Sequence, residues 1–88
     1  MSMERFTVWK TRTMVRLVNL RKQYEKDAKI SSYIDSVISK LHYAKARDVS
    51  RIVFDLHLLS KEVPEVLELI PSEEDVKQWL TKEQEQEG

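Results

Sequence analysis

Apolar side chains recur along the chain at the three-to-four-residue spacing of amphipathic helices. The clearest stripe predicts a helix whose apolar members are Ile30, Tyr33, Ile34, Val37, Ile38 and Leu41. Ser32 and Asp35, three residues apart, suggest a capping-box variant at its start. A further helix is predicted after Asp48, a favoured N-cap residue type, and runs to about Lys61. Its stripe consists of Val49, Ile52, Val53, Leu56 and Leu59.

The pattern is less decisive at the N-terminal end. A first helix is predicted over Thr11–Asp27, and its start lies as early as Glu4 in one interpretation. Phe6–Trp9 is rich in β-forming residue types, so a short strand there is an alternative.

Prolines divide the C-terminal part of the chain. Pro64 suits the first turn of a short helix through Ile70, and Pro71 ends that helix because its ring cannot donate a backbone hydrogen bond. Ser72 then caps a last helix, and 81–88 is expected to be a flexible polar tail.

These elements predict an all-α fold, a small bundle of four to five helices in a single domain over 1–80. With one glycine and two prolines, the chain has almost none of the turn chemistry of β-hairpins. The residues expected to be most buried are Ile34, Ile38, Leu41, Ile52, Leu56 and Leu59.

The centre of the chain carries a recognisable pattern. The sequence DVSRIVFDLHLLSKEVPEVLELI, with apolar Val49, Ile52, Leu56 and Val66, resembles the helix–turn–helix of many DNA-binding domains over about a quarter of the chain. The chain departs from that pattern at His57, where the family usually has glycine. Its second helix would carry Pro64 and two glutamates, Glu65 and Glu68, whose carboxylates repel phosphates. We therefore expect a helix–turn–helix-like centre whose second helix does not read DNA.

Composition adds an expected location. There is no cysteine, no apolar run near the roughly 20 residues that span a bilayer, and no signal-like apolar stretch at the start. These features favour a cytoplasmic protein without a membrane partner. The 34% of charged residues, rich in Lys and Glu, is typical of hyperthermophile proteins and also of helix-rich mesophile proteins.

The formal net charge of zero hides two opposed halves. Residues 1–48 hold 11 Lys and Arg against 5 Asp and Glu, a net charge of +6. Residues 49–88 hold 4 against 10, a net charge of −6. A basic half favours a polyanion or an acidic protein surface as its partner.

One face of the first helix could provide that contact. Arg5, Trp9, Arg12 and Arg16 share a face if the helix starts early, and Lys10, Arg21 and Lys22 widen the positive region. Guanidinium groups that flank an indole can hold phosphates while the ring stacks on a base or on a partner side chain. The alternative is an ordinary solvated helix face with Trp9 folded into the core.

Apolar side chains also exceed what one small core can cover. Val8, Val15 and Val18 lie on a different side of the first helix from Leu17, Leu20 and Tyr24. Phe54 and Leu58 form a second patch opposite the main stripe of their own helix. We predict a homo-oligomer or an obligate heteromeric subunit whose protein interface contains Val8, Val15 and Val18, or Phe54 and Leu58. The alternative is a helix sandwiched between two others of the same bundle.

No catalytic, cofactor or metal constellation is recognised. Asp55, His57 and Ser60 have the residue types of a triad but follow one another on a single helix, whereas a triad converges around a pocket. His42 and His57 alone are too few for a transition-metal site. Glu62, Glu65 and Glu68 are expected to form a solvated acidic face.

These observations favour a non-enzymatic accessory or adaptor subunit without cofactor or small-molecule substrate. It would dock to a larger assembly through apolar helix faces, with its basic half near nucleic acid or an acidic partner. The alternative is a stand-alone DNA- or RNA-binding protein, expected to be dimeric.

Overall fold

The structure, a computed structural model, is an all-α bundle and describes the backbone of residues 5–87 and the side chains of residues 5–81. Its α-helices are α1 (Phe6–Gln23), α2 (Ala28–Tyr43), α3 (Val49–Ser60) and α4 (Glu73–Glu87). Two 3₁₀ helices, Ala46–Asp48 and Pro64–Leu69, lie between them. The prediction of a small helical bundle is confirmed.

Helix α1 begins at Phe6, so the strand predicted as an alternative for its first residues does not form. The possible start at Glu4 lies outside the described residues. The helix ends earlier than the predicted Asp27, since the backbone N–H of Tyr24 bonds to the carbonyl of Leu20 and closes its last turn.

Asp27 is instead the N-cap residue of the next helix, α2. Its carboxylate accepts a hydrogen bond from the backbone N–H of Ile30 at 3.1 Å, which satisfies one of the free donors at the start of α2. The capping box predicted at Ser32 and Asp35 is therefore wrong, because both residues lie inside α2.

Two other predicted caps have different outcomes. Asp48 does precede α3, but its carboxylate accepts from the backbone N–H of Lys45 rather than from an amide of α3. The Ser72 cap of α4 is confirmed, since its hydroxyl accepts from the backbone N–H of Asp75 at 3.1 Å. The segment after Pro64, expected as the second helix of a helix–turn–helix-like centre, is a six-residue 3₁₀ helix. Helix α4 extends into the segment predicted as a tail; most of those side chains lie outside the described residues, so the flexibility of 81–88 stays a prediction.

The core lies between α1, α2, α3 and the Pro64–Leu69 helix. Five of the six residues predicted to be most buried are buried, and Ile38 is half-buried because it packs at the edge of the core. The core also contains residues that the periodicity did not single out as most buried: Trp9, Leu17, Leu20, Val37, Val49, Val63, Val66, Leu69 and Trp79.

Aromatic rings join the two ends of the chain. The rings of Phe6, Trp9 and Trp79 pack together with centroid separations of 5.4 to 5.9 Å, which ties the start of α1 to α4. The indole N–H of Trp9 donates to the buried carbonyl of Leu69 at 2.8 Å. This bond fixes the end of the Pro64–Leu69 helix against α1.

Candidate interaction surfaces

The structure separates the predicted basic row into a buried residue and exposed ones. Trp9 is 1% exposed, whereas Arg5, Arg12 and Arg16 are exposed. The prediction that the indole stacks on an external base or side chain is wrong, because Trp9 lies on the core side of the helix while the arginines face solvent. The alternative assignment of Trp9 to the core is confirmed.

Several cations of α1 are engaged by the rest of the bundle. The Lys10 ammonium donates to the Ala44 carbonyl at 3.0 Å, and Arg21 pairs with Asp35, so α1 and α2 run antiparallel. On its other flank, Arg16 pairs with Glu68 at 3.0 Å. The two oppositely charged halves of the chain thus meet within the molecule.

A tyrosine reinforces that second flank. The Tyr24 hydroxyl donates to the carboxylate of Glu65 at 3.3 Å. Partial burial, the negative charge of Glu65 and this hydrogen bond all raise the pKa of Tyr24 above its ordinary value. Glu65 and Glu68 are solvent-exposed, as predicted for the acidic face. Glu68 binds Arg16 of α1, and Glu65 binds Tyr24, the residue that follows the end of α1.

One side of α1 lies opposite the buried residues of this helix, Trp9, Thr13, Leu17 and Leu20. We call it the outer face of α1 and define it by Val8, Thr11, Arg12, Val15, Val18 and Lys22, which are all exposed. Its three valines are exposed, with Val15 57% exposed, and their role in a protein interface stays a prediction. Arg12 and Lys22 lie on this face, and α1 contains no acidic residue, so the apolar stripe has a basic border.

A second surface lies across α2 and α3. We call it the α2–α3 face and define it by Tyr33, Lys40, Tyr43, Arg51, Phe54, Asp55 and Leu58. An open cleft of about 710 Å³ occupies one end, between the end of α2 and the start of α3. A smaller depression of about 100 Å³ lies beside Tyr33 and Leu58. Tyr43 and Phe54 border the cleft and are 79% and 64% exposed. The role of Phe54 and Leu58 in a protein interface stays a prediction.

An ion pair joins the two helices of this face. The Lys40 ammonium lies 3.2 Å from the carboxylate of Asp55, whose side chain is only 16% exposed. Tyr33 lies beside this pair: burial and the charge of Asp55 raise its pKa, and the charge of Lys40 acts in the opposite direction. Two of the ionic groups that line the cleft, Lys40 and Asp55, are thus paired with each other.

The triad residue types do not assemble into a catalytic relay. The Ser60 hydroxyl donates to the backbone carbonyl of His57 at 2.6 Å, and Asp55 pairs with Lys40. Among the side chains of residues 5–81, no three His, Cys, Asp or Glu residues are grouped to hold a metal ion. No helix in the described part of the chain is long and apolar enough to cross a membrane.

The sequence pattern missed part of the α2–α3 face. Tyr33 was assigned to the apolar stripe of α2, and Tyr43, two residues beyond Leu41, was not singled out. The sequence feature that indicates this face is the i, i+4 spacing of Phe54 and Leu58, which places both residues on the side of α3 opposite its buried stripe. The cross-helix partners Lys40 and Asp55 carry no local signal.

The chain matches no protein-family model, no curated protein and no solved structure.

Proposed function

We propose that this chain is a non-enzymatic docking subunit that binds an acidic, amphipathic protein segment on the outer face of α1. The observation that carries the proposal is a row of three exposed valines, Val8, Val15 and Val18, on one face of an 18-residue helix that has basic but no acidic side chains. Aliphatic side chains gain by burial against a partner helix, and the basic border favours acidic residues around that contact.

The same structure gives less support to the nucleic-acid alternative. Trp9 is unavailable for stacking, and Arg16 and Arg21 already pair with carboxylates of the chain. A polyanion would compete with these internal pairs, and it would gain nothing from the exposed valines. A protein segment with both apolar and acidic side chains uses the whole surface.

A binding assay with two matched probes tests the proposal. The first probe is a fluorescently labelled synthetic helix of the same length as α1, with leucines on one face and glutamates on the other. The second is a labelled oligothymidylate of equal net charge. We expect saturable anisotropy changes with the peptide and at least tenfold weaker binding of the oligonucleotide, a difference of about 1.4 kcal/mol.

Two variants locate the contact. Val15→Asp should weaken peptide binding at least tenfold. The new carboxylate would be buried when the peptide binds and would lie next to acidic residues of the peptide. Phe54→Asp changes an equally accessible site on another surface and should leave peptide affinity unchanged. Tighter binding of the oligonucleotide, or equal effects of the two substitutions, would contradict the proposal.

A further inference from the structure

The α2–α3 face has the side-chain chemistry of a protein interface. Tyr33 and Tyr43 from α2 and Phe54 and Leu58 from α3 are all large, and all are exposed. Aromatic residues are enriched at the centres of protein interfaces, where they bury large areas at low cost in side-chain entropy. Three aromatic side chains and Leu58, on two adjacent helices, form a patch rather than scattered single exposures.

The charges that line the cleft of this face are balanced. Lys40 and Arg51 line the cleft together with Asp48 and Asp55, which gives two cations and two anions. A strongly acidic or strongly basic partner would therefore meet as much repulsion as attraction here. A surface with positively and negatively charged side chains on neighbouring helices can instead be electrostatically complementary to a second copy of itself.

We propose that the α2–α3 face binds a second copy of this chain in a two-fold symmetric dimer. We place the two-fold axis in the plane of the contact, parallel to α2 and α3 and midway between them. Rotation about this axis places α2 of each copy over α3 of the other. The α2 cation Lys40 then approaches the surface that holds Asp55, and the tyrosines of α2 cover Phe54 and Leu58. The chain has zero formal net charge, so two copies approach without overall repulsion.

The dimensions of the face set the expected strength. At 1.5 Å per residue, α2 with 16 residues and α3 with 12 residues are about 24 and 18 Å long. With a helix width of about 10 Å, the face measures roughly 20 Å on a side. Its projected area of about 400 Å² is half of the roughly 800 Å² that a standard interface buries per partner. We therefore expect a weak dimer with a dissociation constant in the micromolar range.

This dimer uses a different surface from the proposed docking of an acidic segment and does not depend on it. Sedimentation equilibrium of the whole chain from about 1 to 500 µM, a range that brackets a micromolar constant, tests it. The wild type should change from monomer to dimer across this range. Phe54→Asp and Tyr43→Ser should remain monomeric at every concentration, and Val15→Asp, on the outer face of α1, should dimerise like the wild type.

The outcomes separate the alternatives. Circular dichroism first establishes that each variant is folded; Tyr43→Ser, at a position 79% exposed, retains the test if Phe54→Asp is unfolded. A wild type that stays monomeric at the highest concentration would overturn the proposal and leave this face for another protein. A dimer that Val15→Asp dissociates, or that both α2–α3 variants leave intact, would overturn it by placing the contact elsewhere.

Discussion

Replacement of Trp9 by phenylalanine tests whether the buried indole is a structural element of the bundle. The substitution removes the N–H that donates to the Leu69 carbonyl at 2.8 Å and leaves that buried acceptor unpaired, at a cost of about 1–3 kcal/mol. The smaller ring also leaves a cavity of about 40 Å³, which costs about 1 kcal/mol at 24 cal/mol per Å³. The expected loss in the free energy of unfolding is therefore about 2–4 kcal/mol.

This loss is large for a chain of 88 residues, for which a total stability of about 4–13 kcal/mol is typical. Urea denaturation followed by far-ultraviolet circular dichroism measures it directly, and the midpoint should fall without a change in slope. Phe54→Leu is the matched control, because this ring is 64% exposed, and it should change stability by less than about 0.5 kcal/mol. A loss below about 1 kcal/mol for Trp9→Phe would refute the buried hydrogen bond and reopen a surface role for the indole.

Three further changes probe other parts of the structure. Thr13→Val should stabilise the fold by about 1 kcal/mol in the same denaturation assay, because it removes a buried hydroxyl with no hydrogen-bond partner; a loss would show that the hydroxyl is satisfied. Asp27→Ala should cost about 0.5–2 kcal/mol as the loss of the α2 cap, whereas Ser32→Ala should stay within about 0.5 kcal/mol. Because the folded state holds the pKa of Tyr24 above 10.0, this phenol contributes stability that is complete below pH 10 and lost as the pH rises further. Denaturation midpoints at pH 7 and above pH 10 should therefore differ less in Tyr24→Phe than in the wild type; an unchanged difference would contradict the raised pKa.

The sequence predicted α2 and α3 well for a physical reason. Each has one dominant apolar stripe, and that stripe became the buried side of the helix: Ile34 and Leu41 are buried in α2, and Ile52 and Leu56 in α3. Burial of a continuous stripe dominates the stability of such helices, so local periodicity is sufficient to identify them.

Helix α1 was harder because its apolar side chains lie on two sides. Val15 and Val18 are exposed while Leu17 and Leu20 are buried, so the pattern alone did not show which side faces the core. The interpretation of Trp9 depended on that choice. The predicted α1 extends to Asp27 and therefore includes the residue that in the structure caps α2. Asp27 lies in the short loop that joins the two helices.

Contacts between distant parts of the chain were outside the reach of sequence patterns. Arg16 and Glu68 are 52 residues apart, and Trp9 and Leu69 are 60 apart. Their pairing depends on how α1 lies along the Pro64–Leu69 helix, which no local spacing encodes. The charge halves were evident in the sequence, but their mutual neutralisation depends on this tertiary arrangement.

Amide chemical-shift mapping by NMR tests most directly the central claim that two separate faces of this bundle bind protein. During titration with the acidic amphipathic peptide, the largest shifts should lie on the outer face of α1, around Val8, Val15 and Lys22. On dilution of the chain alone, the largest shifts should lie around Tyr43 and Phe54. Peptide-induced shifts spread evenly over every basic residue, with no concentration-dependent shifts on α2 and α3, would contradict the account.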